Sequence, residues 1–208
     1  MTATLETITT EILERAAKVD RYIVAIAGPP GAGKSTLADA LAEALAAAGA
    51  AVAVLPMDGF HMDNGILEER GLLARKGAPE TFDVRGFIDI VDAVRGGDVE
   101  VLVPVFDRSR ELAIASARAI KPETKIVLVE GNYLLLTEGL WAGLEGKFDF
   151  SVFVGPSYEV LEDRLRQRWV HYGLDEAGIQ WKLYGNDLPN GKRILDNRRP
   201  ADIVIEDF

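Results

Sequence analysis

An α/β fold built on a parallel sheet is predicted by three observations. Apolar, strand-like runs alternate with helical patterns from end to end, the order that feeds βαβ units. The first of those runs, residues 22–27, leads straight into Gly-Pro-Pro-Gly-Ala-Gly-Lys-Ser at 28–35, and a Leu- and Ala-rich helical pattern follows at once. The 208 residues suit one such domain with a sizeable core, and nothing in them reads as a linker. The expectation is a single domain over 1–208, a P-loop NTPase-type three-layer sandwich with a mostly parallel five-stranded sheet and a helical lid.

Each element has its own signal. Strand-like runs fall at 22–27, 51–57, 99–103, 125–129, 150–154 and 202–205. Helical periodicity occupies 35–48, 64–73, 84–94, 158–171 and a last stretch around 190–197, after an N-terminal pattern of Leu5, Ile8, Ile12, Leu13 and Ala16. Gly49 and the Gly96-Gly97 pair suit helix ends. Residues 170–182, with Gly173 and Gly178, read as a lid that shields a reacting group from water.

The octapeptide carries the chemistry. It matches G-x-x-x-x-G-K-[ST], in which the glycines let successive N–H groups face a nucleotide's phosphates. A side chain at Gly28 or Gly33 would obstruct that approach. Lys34 can reach the β- and γ-phosphates, Ser35 can hold Mg²⁺, and the following helix N-terminus adds partial positive charge. The expected nucleotide contacts are Gly28, Pro29, Pro30, Gly31, Ala32, Gly33, Lys34, Ser35 and Thr36. In open parallel sheets ligands gather at the carboxyl ends of strands. There the second strand ends on Asp58 and the fourth on Glu130. Two carboxylates beside a triphosphate suit two tasks, one helping to hold Mg²⁺ and the other orienting an attacking hydroxyl and taking its proton.

Composition narrows the class. Acidic residues outnumber basic ones 33 to 23, a net charge of −10, so no nucleic acid and no anionic membrane is expected as partner. The absence of cysteine excludes disulfides, thiol nucleophiles and cysteine metal sites. The two histidines, His61 and His171, lack zinc-site spacing. No apolar run approaches the ~20 residues of a membrane span, and the N-terminus lacks the basic start of a signal peptide. A cytoplasmic location is expected.

With those residues in view, the chain resembles P-loop kinases of the uridine kinase, phosphoribulokinase and pantothenate kinase group. The likeness lies in the loop, Met57-Asp58-Gly59-Phe60-His61, Lys76-Gly77-Ala78-Pro79-Glu80-Thr81-Phe82-Asp83, Val129-Glu130-Gly131-Asn132-Tyr133, and the tail from Asn186-Asp187-Leu188-Pro189-Asn190 to Arg199 and Ala201. Among members of the group it is most similar to small ones labelled fructose transport system kinases. The resemblance implies an ATP- and Mg²⁺-dependent kinase acting on a hydroxyl of a small metabolite: a sugar such as fructose, or a pantothenate- or nucleoside-like acceptor. It makes Asp58 the base, Glu130 a Mg²⁺ ligand or its neighbour, Asp83 an acceptor contact, and the arginines before the lid a phosphoryl clamp. It also implies a homodimer. Where the group often has a Pro-x-Tyr-x-His segment, this chain has Pro104-Val105-Phe106-Asp107-Arg108. Loss of the phenol and imidazole removes polar acceptor contacts, and Arg108 adds a cation. A carboxylate- or phosphate-bearing acceptor, or a sugar held differently, then fits at least as well as uridine or pantothenate.

Weaker signals complete the set. Arg164 and Arg168, four apart, share a helix face and can clamp the transferring phosphoryl group, or simply form a solvated face. His61 can line the acceptor pocket or make a structural hydrogen bond. Asn190, four residues past Asn186, can reach ligand or belong to a helix cap near Pro189. A GTP switch would need an Asn-Lys-x-Asp segment, which is absent. The alternative is an ATPase module or a nucleotide-binding regulatory protein without a small acceptor.

Overall fold

The computed structural model describes residues 3–206 and 208. Strand β1 (Tyr22–Ala27) is buried along its whole length. Tyr22, Val24 and Ile26 join one apolar cluster while Ile23, Ala25 and Ala27 join another. That period of two in an unbroken apolar run is what a strand covered on both faces requires. Around it lie β5 (Ile126–Gly131) and β6 (Phe150–Val154), with β2 (Val52–Pro56) and β7 (Ile203–Ile205) outside them. The order is β2-β5-β1-β6-β7, and every pairing is parallel.

Helices cover both faces. Ile8 and Ile12 of α1 (Leu5–Ala16), Leu37 and Leu41 of α2 (Lys34–Ala47) and Leu161 of α5 (Tyr158–His171) fill one layer. Thr4 starts α1 through a reciprocal capping box with Thr7, and Ser157 caps α5. On the opposite face α4 (Val84–Gly96) buries Phe87, Val91 and Val94 beside Tyr133 and Trp141. Phe87 is fully buried, its ring 5.0 Å from Phe60 and 6.1 Å from Trp141. Phe87→Ala is therefore expected to cost about 3–5 kcal/mol, seen as a lower urea midpoint at unchanged slope.

Three expectations need correction. The run at 99–103 is not a sheet strand: it becomes β3 (Val101–Asp107), paired antiparallel with β4 (Leu112–Ile120) in a separate ribbon. Pro104 has no N–H to donate, and the register shifts across it between Val103 and Val105. The sequence reading lacks β4 altogether, because its Ala-rich residues are exposed on both faces up to Ile120 and show no alternation. Helix α3 (Asn64–Glu69) stops short of 73, since Gly71 takes a left-handed φ of 66° after the Arg70 cap. Helix α7 (Leu188–Asp196) starts two residues before 190. It follows α6 (Glu176–Lys182) through a π-helical turn at Leu183–Asp187, an unwinding common at functional sites. The segment read as a lid, 170–182, thus comprises the end of α5, a turn and α6, and the π turn follows it.

Candidate active site

The phosphate loop leaves β1 and enters α2 at Gly33, the N-cap, with φ values of 79° at Gly31 and 96° at Gly33. A β-carbon on Gly28 would stand 2.3 Å from the Val154 carbonyl oxygen. Contact with β6, rather than with phosphate, forbids a side chain there. Of the expected nucleotide contacts, Pro30, Gly31, Gly33, Lys34, Ser35 and Thr36 line a cavity of about 500 Å³. Gly28, Pro29 and Ala32 do not: Ala32 is buried in the core, and Pro29 gives its carbonyl to Lys34.

Lys34 is buried, its Nζ donating to the Pro29 carbonyl oxygen at 3.0 Å and lying 4.0 Å from Glu130 Oε1. Burial pulls the ammonium pKa down, while Glu130 and Asp58 oppose it. Strand pairing brings the two carboxylates together. Pro56 of β2 stands opposite Glu130 of β5, and Asp58 follows in the 3₁₀ turn Met57–Phe60. Burial pushes the Glu130 carboxyl up to about 7; Lys34 lowers it, Asp58 raises it further, and Arg108 and a hydrogen bond with Ser35 lower it. The Asp58 turn is pressed against the ribbon so closely that a β-carbon on Gly59 would lie 2.3 Å from the Pro104 carbonyl oxygen. Only glycine allows that approach.

A second cavity, of about 350 Å³, adjoins the first and shares with it Pro30, Asp58, Arg108, Asn132 and Arg168. Asp58 therefore stands at the junction of a larger chamber beside the phosphate loop and a smaller chamber next to it. Arg108 Nη2 donates to Asp58 Oδ2, and His61 Nε2 lies 3.9 Å from Oδ1. His61 lines the smaller chamber, stacked on Phe82 at 4.1 Å and tilted against Phe106 at 4.7 Å. Burial pushes its imidazole down to about 4, so it is neutral near pH 7.

Arg164 and Arg168 both line the larger chamber, and Arg164 Nη1 donates to the Ala32 carbonyl oxygen at 3.3 Å. Arg166 turns away to Glu176. Two expected acceptor residues are placed elsewhere. Asp83 lines neither chamber; it is exposed and caps α4, Oδ1 accepting from Gly86 N at 3.0 Å. A short polar side chain in front of an apolar helix serves that end first. Asn190 is buried one layer back, where Nδ2 donates to Asn186 Oδ1 at 3.2 Å; Asn186 lines the chamber.

The sequence reading passes over Lys76, Asn132, Trp169 and Asp187 as site residues, although all four line a chamber. Lys76, Asn132 and Asp187 stand within the segments that carry the resemblance, which is the signal that could have found them. Trp169 has none: its indole donates to Asp187 Oδ2 at 2.7 Å through a contact that only the fold creates.

Ser35 and Glu130 offer hard oxygen donors, and among the described residues no group of three His, Cys, Asp or Glu is placed to hold a metal ion. That set fits Mg²⁺, which takes few protein ligands and completes its shell with water and phosphate oxygens.

Comparison with known proteins gives a consistent picture. The family model of methylmalonyl Co-A mutase-associated GTPase MeaB matches residues 2–81. A crystal structure from Silicibacter sp. TM1040, provisionally named a fructose transport system kinase, superposes with a TM-score of 0.92 at 44% identity, covering 97% of this chain and 98% of that one. The Escherichia coli protein YggC is 36% identical over 189 residues, 89% of this chain and 78% of its own length. The pantothenate kinase of Enterococcus faecalis is 33% identical over 178 residues, 84% of this chain but 58% of the enzyme. A likeness this strong, spanning nearly the whole chain, makes this protein a member of the P-loop kinases of the uridine kinase and pantothenate kinase group.

Proposed function

We propose that the protein transfers the γ-phosphoryl group of ATP to a hydroxyl of a small metabolite. The observation that carries this reading is the position of Asp58, whose carboxylate reaches both chambers at their junction. The phosphate loop, Lys34 and the Arg164–Arg168 face take the triphosphate, and the smaller chamber takes the acceptor. The acceptor oxygen bonds to the γ-phosphorus as the bond from that phosphorus to the β–γ bridging oxygen breaks, the electron pair leaving with ADP. The acceptor proton passes to Asp58. In a loose transition state most of the catalysis is positioning and charge compensation, which Lys34, Arg164 and Arg168 are placed to supply. Mg²⁺, held by Ser35 and Glu130, would neutralise phosphate charge. The lid segment from Val170 to Lys182 would keep water from taking the phosphoryl group. A GTPase reading draws on the match over residues 2–81 alone and lacks the guanine-reading segment.

Incubation with Mg·ATP and a pool of sugars, nucleosides and vitamin precursors should yield one phosphorylated product by mass spectrometry. Phosphate release indifferent to every acceptor would instead mark an ATPase.

The raised Glu130 carboxyl gives a pH signature. Burial pushes it up to about 7, and a cation-holding carboxylate must be free of its proton. Affinity for the Mg–nucleotide complex should therefore rise with pH up to that point and flatten above. Calorimetry in buffers of different ionisation enthalpy should show proton release near pH 6 and little near pH 8. Glu130→Gln should abolish the difference; a persistent one would assign the proton to another group.

A further inference from the structure

We propose that the acceptor is a compact hydroxylated anion, and that Lys76 and Arg108 hold its charged group while its hydroxyl faces Asp58. This rests on the kinase reading above and names the substrate class for the same site.

Lys76 is the first reason. Its side chain is 12% exposed. Nζ donates at 2.8 Å to two neutral oxygens, Asn64 Oδ1 and the Glu111 carbonyl, while the nearest carboxylate oxygen, on the largely exposed Glu111 side chain, is 3.7 Å away. An ammonium so enclosed and so weakly neutralised is costly unless something anionic completes it. The backbone that presents it is held rigidly: Asn186 Nδ2 donates to the Lys76 carbonyl at 3.2 Å, Tyr133 Oη to the Gly77 carbonyl at 2.6 Å, and Gly77 N to Thr81 Oγ1 at 2.9 Å. Such support from a second layer of hydrogen bonds is how binding sites keep a charged group in place.

Arg108 is the second. It and Lys76 flank one ring, at 5.7 Å and 5.1 Å from the centre of Phe106, which forms a wall of the chamber. Four cations line this chamber against three carboxylates, in a chain of net charge −10. The field is visible at His61: beyond the dominant effect of burial, Lys76, Arg108 and Arg168 all disfavour its protonation, against Asp58. The volume, about 350 Å³, lies near the small end of the 300–1,000 Å³ common for ligand pockets.

The Arg108–Asp58 pair links recognition to chemistry. Arg108 donates to the carboxylate that must receive the hydroxyl proton. An incoming anion gives Arg108 a competing partner and frees Asp58 for the hydroxyl. A neutral alcohol provides no such exchange and meets an occupied base. A carboxylate and a phosphate would both serve, so the class is an oxyanion joined to a hydroxyl by a short chain.

The test is turnover of matched sets in which only the charged group changes: glycerol, glycerate and glycerol phosphate; glucitol, gluconate and glucitol phosphate; pantothenol and pantothenate. In at least one set the anionic member should exceed its neutral partner in kcat/KM by about 10- to 100-fold, the range of a charge-assisted hydrogen bond, and the carboxylate and phosphate arms tell the two sources apart. Lys76→Met should pull that ratio toward one, chiefly through KM, while Lys76→Arg keeps it. Unchanged nucleotide affinity by calorimetry certifies that both variants are folded, and if Lys76→Met fails that check the Arg108→Met ratio serves in its place. Neutral members turned over as well as their anions would overturn the inference and leave the kinase standing, as would a folded variant that keeps the full ratio. Transfer to no member of any set would overturn the inference, and the kinase reading falls with it only if the wider pool of sugars, nucleosides and vitamin precursors also yields no product.

Discussion

Asp58→Asn is expected to lower kcat by about 10²–10⁴-fold, the usual worth of a positioned general base, with nucleotide affinity close to that of the parent. Asp58 lies on the 3₁₀ turn beyond β2, not on the phosphate loop, and the loop reaches its cavity through α2 and β1. The amide keeps the shape and can still accept from Arg108, so the junction between the chambers should survive. What disappears is the site for the acceptor's proton. A secondary effect is expected at Glu130, because Asp58 is one of the charges holding that carboxyl up. The pH at which Mg–nucleotide affinity levels off should therefore move down in the variant. The measurement is kcat and KM for the identified acceptor beside nucleotide binding by calorimetry; full turnover would remove Asp58 from the role of base.

Lys34→Ala should weaken nucleotide binding and phosphoryl transfer together. Charge-assisted contacts contribute about 1.5–3 kcal/mol each, so Kd for the nucleotide should rise by about 10- to 100-fold, with a further loss in kcat if the ammonium grips the transferring group more tightly than the ground state. Lys34→Arg should not rescue, since the side chain is enclosed between the Pro29 carbonyl and Glu130 and a planar guanidinium does not fit a compact ammonium's place. Lys34 is also the chief charge opposing Glu130's burial. Its removal should drive that carboxyl higher and shift the pH dependence of Mg–nucleotide binding upward. Unaltered nucleotide affinity would count decisively against the assignment.

How much of this was legible beforehand varies with the range of the contacts involved. The phosphate loop, both strand-end carboxylates and helix α5 follow from local pattern: backbone conformation, an apolar run and a helical period are each written within a few consecutive residues. Half of the ribbon escapes local pattern, since β4 carries no alternation and is exposed up to Ile120. Asp83 and Asn190 were placed by likeness of motif, yet one caps a helix and the other supports Asn186 from behind. Spacing along a chain does not say whether a polar side chain faces a cavity or a helix end. Lys76 shows the same limit from the opposite side. Its neighbours Asn64, Phe106, Glu111 and Asn186 come from distant segments, and without them it reads as one more surface lysine.

The sequence by itself determined the parallel α/β sandwich, the phosphate-binding loop, and the presence of Asp58 and Glu130 at strand ends, because each depends on short-range backbone geometry and on burial patterns of fixed period. Only the tertiary structure decided that the two carboxylates are neighbours, that burial raises the Glu130 carboxyl, and that Arg108 rests on Asp58. Those properties depend on distance and dielectric between residues far apart in the chain, quantities that exist only once the strands have paired.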